Sequence, residues 1–258
     1  MNFNKLLIIP DSENLSAYIE LAGKYGCGFE YNDFFLPDVL DDSEKCDKII
    51  AEYCVGNIPQ YCTMHGAFLD VTVFSDDRKI KAVSDERVEQ SLLLAEKIGA
   101  KAVVFHTNYM PNFLQDTYRE NWVERNRLYW KEKLNNHPEI NIYLENMFDT
   151  DPELLASLAE KMQCESRFGI CFDYAHAHVF GNQGEIEKWA VKLGKYVKHV
   201  HINDNNFISD LHLAVGDGFI NWELFKELYS KYFPKASVLV EVRGEEKIRK
   251  SLEFLSEL

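Results

Sequence analysis

The sequence predicts an α/β protein folded as a single (β/α)8 TIM barrel, and three observations predict it. Eight short apolar runs alternate with longer amphipathic stretches along the chain, and strand–helix units in series imply parallel strands joined by right-handed crossovers. The length, 258 residues, matches the roughly 250 that one such barrel takes. The rival, an open doubly wound sheet, lacks support because no G-x-G-x-x-G follows the first run. No linker, low-complexity segment or sequence repeat interrupts the pattern, so residues 1–258 are expected to form one domain.

The expected strands are LLIIP (6–10), GFEYN (28–32), YCTMH (61–65), AVVFH (102–106), NIYLEN (141–146), FGICFD (168–173), VKHVHIN (197–203) and SVLVEV (237–242). They are short, rich in β-branched and aromatic residues, and bounded by turn formers. The first expected helix is ENLSAYIELAGKYG, with Leu15, Ile19 and Ala22 on one face and a glycine to end it. A second, DERVEQSLLLAEKIGA, is apolar at Val88, Leu92 and Ala95. DPELLASLAEKM has Asp151 as its cap and Pro152 in its first turn, and NWELFKELYSKYF follows the seventh strand.

Bulk composition excludes several classes. No apolar run approaches the ~18 residues that span a bilayer, and the opening MNFNKLL has no signal-peptide pattern, so a cytoplasmic protein is expected. None of the six cysteines forms a C-x-x-C pair, which argues against a zinc ribbon or a thioredoxin motif. Cys62 and Cys171 lie in strand-like runs and read as core thiols. Net charge is −14 (28 basic, 42 acidic residues), and such a surface repels a nucleic-acid backbone.

Nine residues carry the chemistry: His65, His106, Glu145, Asp173, His176, His201, Asp210, His212 and Glu241. Most close a strand-like run, and in a barrel the C-terminal strand ends form the active face. Imidazoles and carboxylates converging there suit a divalent cation, because buried carboxylates are costly without one. Of the other histidines, His137 precedes a proline and is expected at the surface. His199 shares the face of His201; it is a candidate substitute ligand, with a deeper structural part the leading expectation. His178, Asn146 and Asn203 are candidates for orienting ligands.

The stretches HGAFLD (65–70), FHTNY (105–109), YLENM (143–147), CFDYAHAH (171–178), HIND (201–204), DLHLAVGDGFINW (210–222) and VEVR (240–243) together resemble the xylose-isomerase-like barrel superfamily. That superfamily includes sugar isomerases and epimerases and also endonuclease IV. The isomerase branch implies one divalent ion (manganese, zinc, magnesium or cobalt) held by Glu145, Asp173, His201 and Glu241, with His176 on a substrate hydroxyl. The endonuclease IV branch implies three zinc ions. The first would be held by His65, His106 and Glu145, the second by Glu145, Asp173, His201 and Glu241, the third by His176, Asp210 and His212.

The NMFDTDPELL flank and the VGDGFINW stretch look like the isomerase branch. The expected loops at the mouth are acidic: Asp33, Asp38, Asp41, Asp42, Asp70, Asp76, Asp77, Asp116, Asp149, Asp151, Asp204 and Asp217. They hold few basic residues, chiefly Arg78, Lys79, Arg119 and Arg243. This makes a nucleic-acid partner unfavourable and a neutral sugar favourable. Aromatic residues Phe34, Phe35, Phe68, Tyr109, Phe148, Phe180 and Trp222 suit the apolar faces of a sugar. Phe68, Trp222, Arg243 and His176 are the expected substrate contacts. The leading expectation is therefore a sugar isomerase or epimerase in which Glu145 and Glu241 remove and return a carbon-bound proton through an enediolate. The alternative is an endonuclease IV-like, metal-dependent phosphodiesterase. The resemblance also implies a homo-oligomer.

Overall fold

A computed structural model describes residues 3–56, 58–113, 115–182 and 184–258. Eight parallel strands close into a barrel in sequence order. They are β1 (Lys5–Ile8), β2 (Gly28–Tyr31), β3 (Cys62–His65), β4 (Ala102–His106), β5 (Asn141–Glu145), β6 (Phe168–Asp173), β7 (Val197–Ile202) and β8 (Ser237–Val240). Each falls inside or within one residue of its expected run. Closure is made by β1 against β8, with Leu7 opposite Leu239 and Ile8 opposite Val240. Ten helices surround the barrel among the described residues: α1 (Leu15–Tyr25), α2 (Pro37–Leu40), α3 (Ser43–Cys54), α4 (Arg78–Ile98), α5 (Asp116–Asn136), α6 (Glu153–Lys161), α7 (Tyr174–Val179), α8 (Ile186–Leu193), α9 (Trp222–Tyr232) and α10 (Glu245–Glu257). None is long and apolar enough to cross a membrane.

Local chemistry sets the ends. Gly26 adopts a left-handed conformation and returns its N–H to Ala22, which stops α1. Asp77 accepts from the N–H groups of Lys79 and Ile80 and so starts α4 at Arg78, seven residues before the expected Asp85. Asn221 caps α9. α1 buries Tyr18, Leu21 and Ala22, while Leu15 and Ile19 are only half-buried. α4 buries Val88, Leu92 and Ala95 as expected.

Strand parity divides the core. Outward-facing residues such as Phe29, Met64, Val103, Phe105, Ile142, Leu144, Ile170, Phe172, Val200 and Val238 join one large apolar cluster with the helices. Inward-facing residues form two small apolar patches, Ala102–Val104–Tyr143–Cys171 and Leu7–Ile9–Leu239. Between them lies a polar core of Glu30, Thr63, His199 and Ser237, all buried. The alternation thus aims one side chain per strand, at its C-terminal end, into the mouth.

Two expectations are corrected here. His137 is 3% exposed, not at the surface, because α4 supplies Glu96 at 2.9 Å and Glu89 at 3.2 Å for its two ring nitrogens. Trp222 is also buried: its indole N–H donates to Asp204 Oδ2 at 2.8 Å and its ring packs against Phe225 and Tyr174. It faces the helical layer and not the mouth.

Candidate metal centre

The nine residues converge at the C-terminal mouth as three groups. His65, His106 and Glu145 form one; Glu145, Asp173, His201 and Glu241 the next; His176, Asp210 and His212 the third. Within each, one potential ligand atom per residue lies within 4.8 Å of the others. Glu145 is shared: its Oε2 is 3.6 Å from His65 Nε2, 3.7 Å from His106 Nε2 and 3.2 Å from His201 Nδ1. Cys171, His199 and His201 are also close enough to hold a cation. Both nitrogens of His199 are already engaged, however, with Ser237 Oγ at 2.7 Å and Glu30 Oε2 at 3.1 Å.

How the rings are held tells what they can bind. His65 Nδ1 sits 2.9 Å from the Gly66 carbonyl, His176 Nδ1 3.0 Å from the Asn146 carbonyl, and His212 Nδ1 2.8 Å from the Glu241 carbonyl. A carbonyl only accepts, so each Nδ1 carries a proton and each Nε2 is turned to a carboxylate. His176 and His212 both turn Nε2 to Asp210 Oδ2, at 3.3 and 2.9 Å. Since a carboxylate also only accepts, these rings must carry a second proton, or a cation must stand in its place.

Electrostatics lead to the same point. Burial opposes ionisation of Glu145, but His201 and His106 outweigh it and hold the carboxyl well below its usual range. Burial, together with Glu241 and Glu145, pushes Asp173 well above its own. Burial disfavours protonated His212, yet Glu241 and Asp210 raise it to about 10, whereas burial drives His106 down to about 3. Both oxygens of Glu145, Asp173 Oδ2, Glu241 Oε2 and Asp210 Oδ1 are buried with no hydrogen-bond partner among the described residues. Orphaned carboxylate oxygens facing imidazole nitrogens fit divalent cations, and the mixed nitrogen and oxygen donors fit zinc or another transition metal.

The surroundings fix these groups. Asn146 donates to the Asp173 carbonyl and accepts from the Asp173 N–H, both at 2.9 Å, which orients Asp173. Asn203 is buried, and among the described residues its side chain has no hydrogen-bond partner. His178 stacks on Phe207 and does not enter the groups. His212 is held at φ 44°, the left-handed region rarely used by side-chain-bearing residues. The loop that carries Asp210 and His212 is pinned by Asp204, which accepts from the N–H groups of Asn205, Gly216 and Ile220 and from the Trp222 indole. A side chain at Gly218 would meet Asp204 Oδ1 at 2.2 Å, so only glycine lets the loop close over it. Asp204→Ala strands all four donors. It is expected to destabilise the protein by about 4 kcal/mol or more in urea denaturation, and to lose metal first from the third group.

Asp204 and Asp149 are therefore not rim acids, contrary to the expectation from sequence; both are buried. Asp149 accepts from Thr107 Oγ1 at 2.6 Å and from the Met147 N–H, but burial still lifts its carboxyl to about 6. The folded value exceeds the unfolded one of ~3.9. Its contribution is thus fully present below that pH and is lost as pH rises through 6. Asp149→Asn keeps the acceptor and removes the titration. The stability difference between variant and wild type should grow by about 2 kcal/mol from pH 4 to pH 7; urea curves with no such divergence would refute it. Much of the remaining rim is paired by helix residues: Asp38 with Lys45, Asp41 with Arg87, Asp76 with Arg125, Asp151 with Arg119, Asp217 with Lys250.

A cavity of about 390 Å³ opens over the groups, lined by Ile9, Asn32, Phe35, His65, Phe68, His106, Met147, His176, Asp210, His212, Glu241, Arg243 and Lys247. Phe68, Arg243 and His176, the expected substrate contacts, are among its lining residues, while Phe34 lies in the core instead of at the mouth. Lys247, Met147 and Glu30 were not anticipated. Arg243 lies over the Phe35 ring at 5.2 Å and has no salt bridge or hydrogen bond among the described residues. Glu145 is fully buried and lies beneath the cavity, outside its lining.

A family model described as xylose isomerase-like TIM barrel matches residues 19–258. The uncharacterized protein MJ1614 of Methanocaldococcus jannaschii is 30% identical over 74% of this chain and 80% of that one. MJ1311 of the same organism is 27% identical over 62% of this chain, which spans 56% of that relative's length. Among solved structures, the TTHB071 protein from Thermus thermophilus, soaked with ZnCl2, aligns with TM-score 0.77 at 21% identity over 99% of this chain and 97% of its own. A D-tagatose 3-epimerase-like protein aligns at 0.73 with 22% identity over 98% and 96%. Endonuclease IV, also from Thermus thermophilus, aligns at 0.63 with 17% identity over 98% and 98%. At these identities the structural likenesses establish the fold.

Proposed function

This chain belongs to the xylose isomerase-like TIM barrel family, and from that premise we propose that it is a metal-dependent hydrolase of a phosphoester carried on a small molecule. The observation that carries the reading is the tautomer lock: His65, His176 and His212 are each tied at Nδ1 to a backbone carbonyl, with Nε2 turned to a carboxylate. That arrangement supports an ion in the first group and one in the third, beside the inner group of Glu145, Asp173, His201 and Glu241. Ions held there would supply Lewis acidity and charge stabilisation at a phosphorus centre.

The chain's own residues do the rest. Arg243 and Lys247 are the two cations of the cavity lining and bind the negative phosphate oxygens. Phe35 and Phe68, 5.3 Å apart edge to face, wall the cavity and exclude water around the rest of the substrate. Glu241 is the carboxylate of the inner four that reaches the cavity, placed to take the proton of the attacking water. A volume of about 390 Å³ suits a single nucleotide or sugar phosphate. The acidic chain disfavours duplex DNA.

Isomerisation or epimerisation of a sugar is the second reading. It is favoured by Glu145, at the end of β5, and Glu241, just past the end of β8, entering one group. It needs both glutamates at a substrate carbon, and the burial of Glu145 beneath the cavity weighs against that.

One experiment separates the two. Protein loaded with zinc or manganese is offered p-nitrophenyl phosphate, bis-p-nitrophenyl phosphate, an abasic-site duplex and ketohexoses in deuterium oxide. The proposal expects release of nitrophenol from a phosphoester and no deuterium in the sugars. Deuterium entering a sugar carbon without phosphoester cleavage would replace it with the isomerase reading.

A further inference from the structure

Beneath the metal centre, Glu30 on β2 is a fully buried carboxylate that no ligand set includes. Its Oε2 accepts from Thr63 Oγ1 at 2.6 Å and faces His199 Nε2 at 3.1 Å, while Ser237 Oγ lies 2.7 Å from the other nitrogen of His199. Its Oε1 has no formed hydrogen bond and lies 3.2 Å from His201 Nε2, close but poorly aligned. A carboxylate oxygen accepts and never donates. With a cation in the inner group taking the Nδ1 lone pair on the opposite side of the ring, the ring proton of neutral His201 sits on Nε2, where Glu30 Oε1 is its acceptor. The Nδ1 side faces Glu145 Oε2 at 3.2 Å and Glu241 Oε2 at 3.6 Å.

His201 is thereby the exception at the mouth. His65, His176 and His212 are anchored at Nδ1 by backbone carbonyls and present Nε2. His201 turns Nε2 to the Glu30 side chain at 3.2 Å, without a formed hydrogen bond, and presents Nδ1. We propose that Glu30 is a positioning residue that inverts the tautomer of His201, so that the inner group takes its ion through Nδ1 of that ring. The proposal rests on the reading that Glu145, Asp173, His201 and Glu241 hold an ion.

Glu30 acts from below, without touching substrate, through one ring. Its anionic charge also raises the donor strength of the imidazole it faces. Thr63 and His199 hold the carboxylate in place by occupying Oε2, which leaves Oε1 for His201.

The test uses the full chain, nitrogen-15-labelled and loaded with cadmium-113. In the wild type, cadmium–nitrogen coupling at His201 is expected at Nδ1, with the proton on Nε2. Coupling at Nε2 overturns the inference. No cadmium at the inner group in the wild type removes the site reading itself, a different failure. Glu30→Gln keeps the size and an acceptor for Thr63 but removes the anion. It is expected to weaken zinc at the inner group roughly 10- to 100-fold while leaving the His65–His106 and His176–Asp210–His212 groups unchanged. Ser237→Ala, which removes a buried hydrogen bond from the same layer but leaves the anion and its Thr63 bond in place, is expected to retain inner-group affinity. Equal losses in both variants would mean that Glu30 only packs the barrel, and would overturn the inference.

Discussion

Stripping the purified protein of metal should lower its melting temperature by roughly 8–16 °C for each ion removed, and adding zinc back should restore it. An ion at 1,000 times its Kd stabilises the native state by about 4 kcal/mol, and about 1 kcal/mol shifts the midpoint of a chain this size by roughly 2–4 °C. The physical cause is crowding: Glu145, Asp173 and Glu241 bring buried carboxylates within 4.8 Å of one another. Without a cation, the group relieves itself by protonation, which is why burial and its neighbours push Asp173 up while imidazoles hold Glu145 down. The sign with pH follows. His212, raised to about 10 by Glu241 and Asp210 against the pull of burial, holds a proton at neutral pH that an ion must displace. Apparent metal affinity should therefore rise as pH is raised from 5 to 8, and a calorimetric titration with flat affinity would contradict this. A melting curve unmoved by chelator would contradict the first expectation.

Glu145→Gln should produce the largest loss of activity of any single substitution, on the order of 1,000-fold or more in kcat/KM for the phosphoester. Glu145 is the residue shared between two groups, with His65, His106 and His201 around one oxygen and His176 Nδ1 3.3 Å from the other. An amide supplies one neutral oxygen where two anionic ones stood, so both groups weaken together; loss of one charge-stabilising group alone typically costs about 100- to 1,000-fold. Because the carboxylate is buried beneath the cavity, KM for the substrate should move little while kcat and metal content fall. A variant that keeps full metal content and loses activity through KM would place Glu145 against substrate and favour proton transfer.

Much of this was legible in the chain. The eight strands were readable because each is a short apolar run bounded by turn formers, and in most of them the last inward residue is polar, a pattern that needs no long-range information. The same parity marked His65, His106, Glu145 and Asp173. Glu30 obeys that parity too, but it lies one inward step below the mouth. Only the closure of the barrel brings it to His199 and His201, 169 and 171 residues away. The misreadings share this cause. His137 looked exposed because a proline follows it, yet its partners Glu89 and Glu96 come from α4. Asp204 looked like a rim acid although its four donors make it a buried pin. Arg87 and Arg125, which neutralise rim aspartates, are contributed by helices far along the chain. Pairings of that kind are settled by topology, which local composition does not encode.

The most direct test of the account is the number of ions held by the nine residues. Native mass spectrometry of protein reconstituted with zinc, with excess metal removed, is expected to show three ions per chain. Conversion of Asp210 to Asn should lower the count by one while the other two remain. A saturated wild type holding a single ion, or none, would contradict the multinuclear centre and the hydrolase drawn from it.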